Sequence, residues 1–194
     1  MKKRILLGAI IGSFVGIFLS NLKAQKTVVN REVELQNGGK MLLGKQTLDQ
    51  FHKEPYSNWF QEEYDSYVLD EPTLKELKKA KLSRYQITAF VGSWCPDTHR
   101  EFPRFIKILE ALKYPTNKLE IIAVSRRKES PEGEEVAAHL KNVPTFIIKR
   151  YNNELGRIVE SPESGYLEKD LLGILEAQRH SKKEKNSKET EEIE

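Results

Sequence analysis

The chain holds a single cysteine, Cys95, in the run Gly92-Ser93-Trp94-Cys95-Pro96. Any thiol chemistry therefore belongs to that residue. The run separates two patterned segments. Tyr85 to Val91 is apolar and β-rich, the composition of a buried strand, while Phe102, Phe105, Ile106 and Leu109 recur at helical spacing. Cys95 falls where the strand turns into the helix. The free N–H groups and positive dipole end of a helix stabilise an anion there. A thiolate so placed has a lowered pKa, and the thiolate is the nucleophile. Pro96 suits the first helical position, where a missing N–H costs nothing. His99 and Arg100, one turn on, add positive potential, and Asp97 opposes it.

A lone cysteine excludes an intramolecular disulfide and a cysteine-rich zinc site. The four histidines (His52, His99, His139 and His180) are scattered, none at metal-ligand spacing, so no metal is expected and no cofactor is called for. A net charge of +3, evenly mixed with acid, leaves no nucleic-acid footprint.

The surrounding pattern predicts the elements that position the cysteine. Leu119 to Val124 reads as a second buried strand, Ser125 to Glu134 as a charged loop, and Glu135 to Leu140 as a short helix. Thr145 to Arg150 and Glu154 to Glu160 flank Tyr151-Asn152-Asn153, a hairpin signal. Leu167, Leu171, Ile174 and Leu175 mark a closing helix. Strand, helix and strand make a right-handed crossover with parallel strands, and the hairpin adds antiparallel ones. The fold class is α/β, with helices over a central mixed sheet.

Upstream, Thr27 to Leu35 predicts a strand, broken at Asn37-Gly38-Gly39, and Thr73 to Leu82 a helix. Between them, Phe51, Tyr56, Trp59, Phe60, Tyr64 and Tyr67 place six of the 17 aromatic residues within 17 positions. Tyr56, Phe60, Tyr64 and Tyr67 share one face of a helix that Pro55 is suited to open. This stripe fits one side of the core ahead of a wall of a peptide groove.

Both ends differ from the middle. Lys2, Lys3 and Arg4 precede an apolar or small run from Ile5 to Leu19, followed by a polar exit to Gln25. This is the layout of a secretory signal over residues 1–24, short for a membrane span of about 20 residues. An uncleaved anchor through residues 5–19 is the alternative. Without the four cations of residues 1–24 the net charge falls from +3 to −1. Residues 180–194 are charged and polar apart from Ile193, the composition of a solvated, disordered tail.

Trp94-Cys95-Pro96-Asp97-Thr98 resembles the Trp-Cys-x-x-Cys site of the thioredoxin superfamily. Pro103 stands where that family has a helix-kinking proline. Val143-Pro144-Thr145 precedes the hairpin as the family's cis-proline does, and Glu154-Leu155-Gly156-Arg157-Ile158 resembles its glycine-bearing hairpin strand. The resemblance covers residues 73–179. Leu42-Leu43-Gly44-Lys45 and Trp59-Phe60, within an N-terminal extension over 25–72, add a likeness to exported thioredoxin-domain proteins, which implies a periplasmic or other extracytoplasmic place.

What the resemblance implies is a thioredoxin fold with Cys95 as the attacking thiol. Trp94, Pro96, Val143 and Pro144 would face the substrate, and Pro144 would be cis beside Cys95. The departure is Thr98, which occupies the place of the resolving cysteine. Cys95 can attack a disulfide, yet no thiol in the chain can release the product. A monothiol exchange protein is therefore expected, acting on protein or small-molecule thiols and disulfides, with Thr98 donating a hydrogen bond to the thiolate. The alternative is a redox-inactive binding module for extended peptides. A peroxide-reducing role comes last, since the expected proline-rich signature is missing. Arg126 and Arg127 follow the second strand on the same sheet edge as Cys95 and read as a solvated loop ahead of a thiolate-stabilising pair. Trp94 is expected to shield the cysteine, and Glu101 to be a helix-surface residue.

Overall fold

The computed structural model describes residues 28–191, with residues 180–191 described by their backbone alone. The leader expected over residues 1–24 lies outside the described residues.

The sheet is built outwards from its centre. β3 (Gln86–Val91) and β4 (Leu119–Ala123) pair in parallel, Ala89 opposite Ile121 and Val91 opposite Ala123. Helix α3 (Pro96–Ala111) is the crossover between them. β5 (Thr145–Arg150) adds antiparallel to β3, and β6 (Asn153–Val159) returns along β5. Their two-residue connection has Tyr151 and Asn152 at φ 50° and 65°. Positive φ at both central residues gives a turn whose twist matches that of the strands it joins. A short helix, α4 (Glu134–Ala137), lies in the connection from β4 to β5, and helix α5 (Leu167–Glu191) packs on β6. A Cβ on Gly156 would lie 2.9 Å from Ile174 Cγ1, so this close helix–strand approach requires glycine. The strand–helix–strand unit followed by hairpin and helix is the thioredoxin arrangement.

Two strands precede this unit. β1 (Arg31–Glu34) and β2 (Lys40–Gln46) form a hairpin, and β2 joins β4 antiparallel. The finished sheet has the order β1-β2-β4-β3-β5-β6. The strand expected over 27–35 is thus four residues long, while β2 was not expected at all. Its apolar positions do not alternate cleanly, and Gly44 sits at φ 72° in the middle.

Strand periodicity divides the buried residues between two faces. Ile87, Ala89, Val91, Ile121, Ala123, Phe146 and Ile148 enter the main core under the helices. Phe90, Ile122, Val124 and Ile147 enter a smaller cluster on the other face, together with Val143 and Cys95. Covering on both faces explains why the central strands read as unbroken apolar runs.

The aromatic segment lies in the main core. α1 (Ser57–Ser66) packs on α3, and the Phe51 ring stands 4.7 Å from that of Phe102. Phe51, Tyr56 and Phe60 are buried. Burying each such ring contributes about 1.5–3 kcal/mol, which identifies the stripe as a core face. Pro55 does not open α1. It precedes the helix by two residues, and its bond with Glu54 is cis.

α2 (Glu71–Ala80) is capped by Asp70, which accepts from Thr73 N–H, and ends at Lys81 with φ 58°. Glu168 of α5 is fully buried and joins the extension to the closing helix. It accepts from the Tyr67 hydroxyl at 2.6 Å and from Asp70 N–H at 3.1 Å.

The backbone of α5 is helical to Glu191. Glutamate and lysine are good helix formers, so a segment too polar to enter a core still has local reason to continue a helix already begun.

Candidate functional site

Cys95 occupies the N-cap of α3 at φ −99°, ψ 123°, with Pro96 as the first helical residue. The preceding turn is closed by Cys95 N–H donating to Gly92 O at 2.8 Å. Glycine is required at 92 because an added Cβ would meet the Trp94 indole at 2.9–3.1 Å. The indole Nε1–H donates to Val124 O at 2.9 Å, which ties the turn to the end of β4.

The Val143–Pro144 bond is cis. Although 48 residues separate them, Cys95 and Val143 are in contact: the thiol donates to Val143 O at 3.2 Å. Pro144 O in turn accepts from Glu160 N–H at 2.8 Å, so β6 holds the proline loop in place. Cys95 is a free thiol with 7% of its surface exposed, in the small cluster with Phe90, Val124 and Val143, and Trp94 packs against that cluster.

Thr98 is fully buried, and its hydroxyl is engaged by the turn, accepting from Gly92 N–H at 3.1 Å. An N3 side chain turned back along the helix meets the N–H that follows β3, and the hydroxyl keeps its own proton for donation. The structure thus brings Trp94, Cys95, Val143 and Pro144 together, and it places Thr98 beneath the turn that carries the cysteine.

The charged neighbours differ from expectation. The Arg100 guanidinium lies against Glu101 at 2.6 Å and Asp97 at 2.8 Å, and these carboxylates, Glu101 foremost, raise its pKa. Glu101 is not a surface residue. It is 3% exposed and also lies 3.5 Å from Arg104, which pairs with Glu63 of α1 at 2.7 Å. Arg126 places its guanidinium 5.3 Å from the centre of the Trp94 ring, and Arg127 pairs with Glu129 at 3.2 Å.

The N-terminal extension supplies parts of the site that sequence reasoning missed. Leu42 N–H of β2 donates to Ser93 Oγ at 3.0 Å, within the protein interior. His99 Nε2 lies 2.9 Å from Ser93 O, and its ring stacks on Trp59 with centroids 4.3 Å apart and planes at 15°. The one signal for this was Trp59, which with Phe51 lies off the stripe of Tyr56, Phe60, Tyr64 and Tyr67 and, unlike Phe51, is only partly buried. Among the described residues no group of three histidine, cysteine or carboxylate side chains is placed to hold a metal.

No known protein family matches the chain, and no curated protein matches it. Among solved structures, a protein of unknown function from Pseudomonas aeruginosa is 20% identical, covering 63% of this chain and 82% of its own, with a TM-score of 0.46. An HIV epitope-scaffold is 19% identical, over 62% of this chain and 82% of its own, with a TM-score of 0.44. Mitochondrial thioredoxin 3 of Saccharomyces cerevisiae, in its oxidised form, is 20% identical, over 50% of this chain and 86% of its own, with a TM-score of 0.30. Likenesses at this level carry no function to the chain.

Proposed function

We propose that the protein is an exported monothiol exchange factor that works through Cys95. The observation that carries this reading is the meeting of the α3 N-cap with the cis-proline loop, Cys95 Sγ 3.2 Å from Val143 O. Cys95 stands at the start of a 16-residue helix, where the first-turn N–H groups have no partner within the helix. In the first step the Cys95 thiolate attacks one sulfur of a disulfide. The S–S bond breaks, the other sulfur leaves as a thiolate, and a mixed disulfide with Cys95 remains. In the second step the thiolate of an external thiol attacks the partner's sulfur in that mixed disulfide. Cys95 is released as a thiolate, and a disulfide between the external thiol and the partner is the product. With Thr98 in place of a second cysteine, the chain itself cannot supply the thiol of the second step. Export rests on the basic start and the apolar run from Ile5 to Leu19.

The experiment treats the protein with a small neutral disulfide and follows its mass. One adduct per chain, released by added thiol and missing in Cys95→Ser, is expected. A folded protein whose Cys95 stays unmodified until denaturant is added would refute the reading. Such a result would favour the binding module, for which the supporting observation is the burial of Cys95 with its proton directed to Val143 O.

A further inference from the structure

Beside Trp94 the surface opens into a groove of about 480 Å³ between the β1–β2 hairpin and the loop after β4. Its apolar lining includes Met41, Leu43 and Pro131, and its rim carries Arg31, Arg126 and Arg127. One carboxylate, Glu129, lines the same groove, and it is paired with Arg127. Among the described residues, Arg31 and Arg126 have no carboxylate within ion-pair distance. Arg126 faces the groove and also covers the Trp94 ring, so it forms the step between the groove and the turn that carries Cys95.

We infer that this groove holds an acidic polypeptide segment flanking the target cysteine of Cys95's protein partner. The inference rests on the exchange reading above and names its substrate class. An apolar lining under a guanidinium rim takes an apolar side chain with carboxylates beside it, because the planar guanidinium fork matches a carboxylate bidentately. Trp94 stands between the groove and the sulfur. A small disulfide reacting at Cys95 leaves the groove empty, whereas an extended chain passing over Trp94 occupies both.

The test has two independent arms. In the first, a fluorescent cysteine-free peptide, one leucine flanked by glutamates, is titrated with the protein at low salt and followed by anisotropy. The same peptide with lysines for glutamates is the control. The acidic peptide binds, the basic one does not, and Arg31→Gln/Arg127→Gln weakens binding by about tenfold, the effect expected for two exposed charge contacts. Equal binding of both peptides, or unchanged binding by the double variant, overturns the inference. In the second arm, the free thiol of Cys95 reacts in separate samples with a neutral dipyridyl disulfide and with the acidic peptide bearing a cysteine activated as a mixed disulfide. The double variant keeps the first rate and loses about tenfold of the second at low peptide concentration. If Cys95 fails with the neutral reagent, the exchange reading falls, and the anisotropy arm still decides the groove.

Discussion

Replacing Thr98 by cysteine returns a second thiol to the first turn of α3, and the structure sets the size of the effect. Cys95 is the N-cap and Thr98 the N3 residue. Side chains at these two positions face each other, as the reciprocal contacts of a capping box require. In the reduced variant the Gly92 N–H exchanges its 3.1 Å hydroxyl acceptor for a thiol, a weak one, and the buried site loses a methyl group. Together these cost about 1–3 kcal/mol. Oxidation closes a loop of four residues from 95 to 98, which by loop entropy stabilises the folded state by about 2 kcal/mol. The oxidised variant should therefore unfold in urea near the wild-type midpoint, and the reduced variant clearly below it. Mass spectrometry after mild oxidation should show the loss of two hydrogens within one chain, with no adduct. Reduction of a protein disulfide should then proceed with a thiol recycling system, where wild type needs a free thiol for release. A variant that folds and still forms only intermolecular adducts would refute the placement of residues 95 and 98 on one helical turn.

Three further outcomes follow from single contacts. Gly92→Ala drives a methyl into the Trp94 indole and breaks its bond to Val124 O, so stability falls by about 1–3 kcal/mol and tryptophan emission shifts. An unchanged urea midpoint and spectrum would contradict this. Glu168→Ala strands the buried Tyr67 hydroxyl and Asp70 N–H and costs about 3 kcal/mol, while Glu168→Gln, which keeps one acceptor oxygen, costs less; equal midpoints for the two variants would oppose the role assigned to this carboxylate. In alkali, Tyr64 is pushed up to about 12 by its hydrogen bond to Glu110 and by burial. Tyr56, Tyr67 and Tyr114 are raised too, each chiefly by burial. Raised folded values mean that this stabilisation is complete below the ordinary tyrosine pKa near 10 and is lost as pH rises through the folded values. Absorbance from these four tyrosinates should thus appear well above pH 10 and together with unfolding. All seven tyrosines ionising together near pH 10, with circular dichroism unchanged, would refute it.

Periodicity made the central unit readable in the sequence. β3, β4 and the hairpin are short runs bounded by turn residues, and α3 shows its apolar face at 102, 105, 106 and 109. The pairing of Cys95 with the Val143–Pro144 segment came from the family resemblance and not from periodicity. Periodicity failed where pairing partners, and not local pattern, define the element. β2 is a strand because β1 and β4 flank it, and nothing in Lys40–Gln46 announces those partners. Charge was misjudged for a related reason. Arg100 and Glu101 look like surface residues when each is read alone. The buried carboxylate exists because Arg104 and Arg100 surround it.

The larger omission concerns what holds the cysteine in place. A thioredoxin-like unit can be drawn from β3 to α5 with the extension as an appendage, yet the turn before Cys95 is anchored from the extension. Ser93 is the pivot. Its hydroxyl accepts from Leu42 N–H of β2, and its carbonyl faces the His99 ring that Trp59 covers. Two parts of the extension, one in the sheet and one on α1, therefore bear on a single residue two positions before the thiol. Backbone geometry at an N-cap decides whether a side chain sits over the free N–H groups of the helix or away from them. Loosening either anchor alters the reach of Cys95 towards Val143 without touching the sulfur. Trp59→Ala should consequently change the rate at which Cys95 is alkylated more than it changes the pH dependence of that rate. A shifted pH profile with an unchanged limiting rate would mean instead that Trp59 acts through the charge of His99.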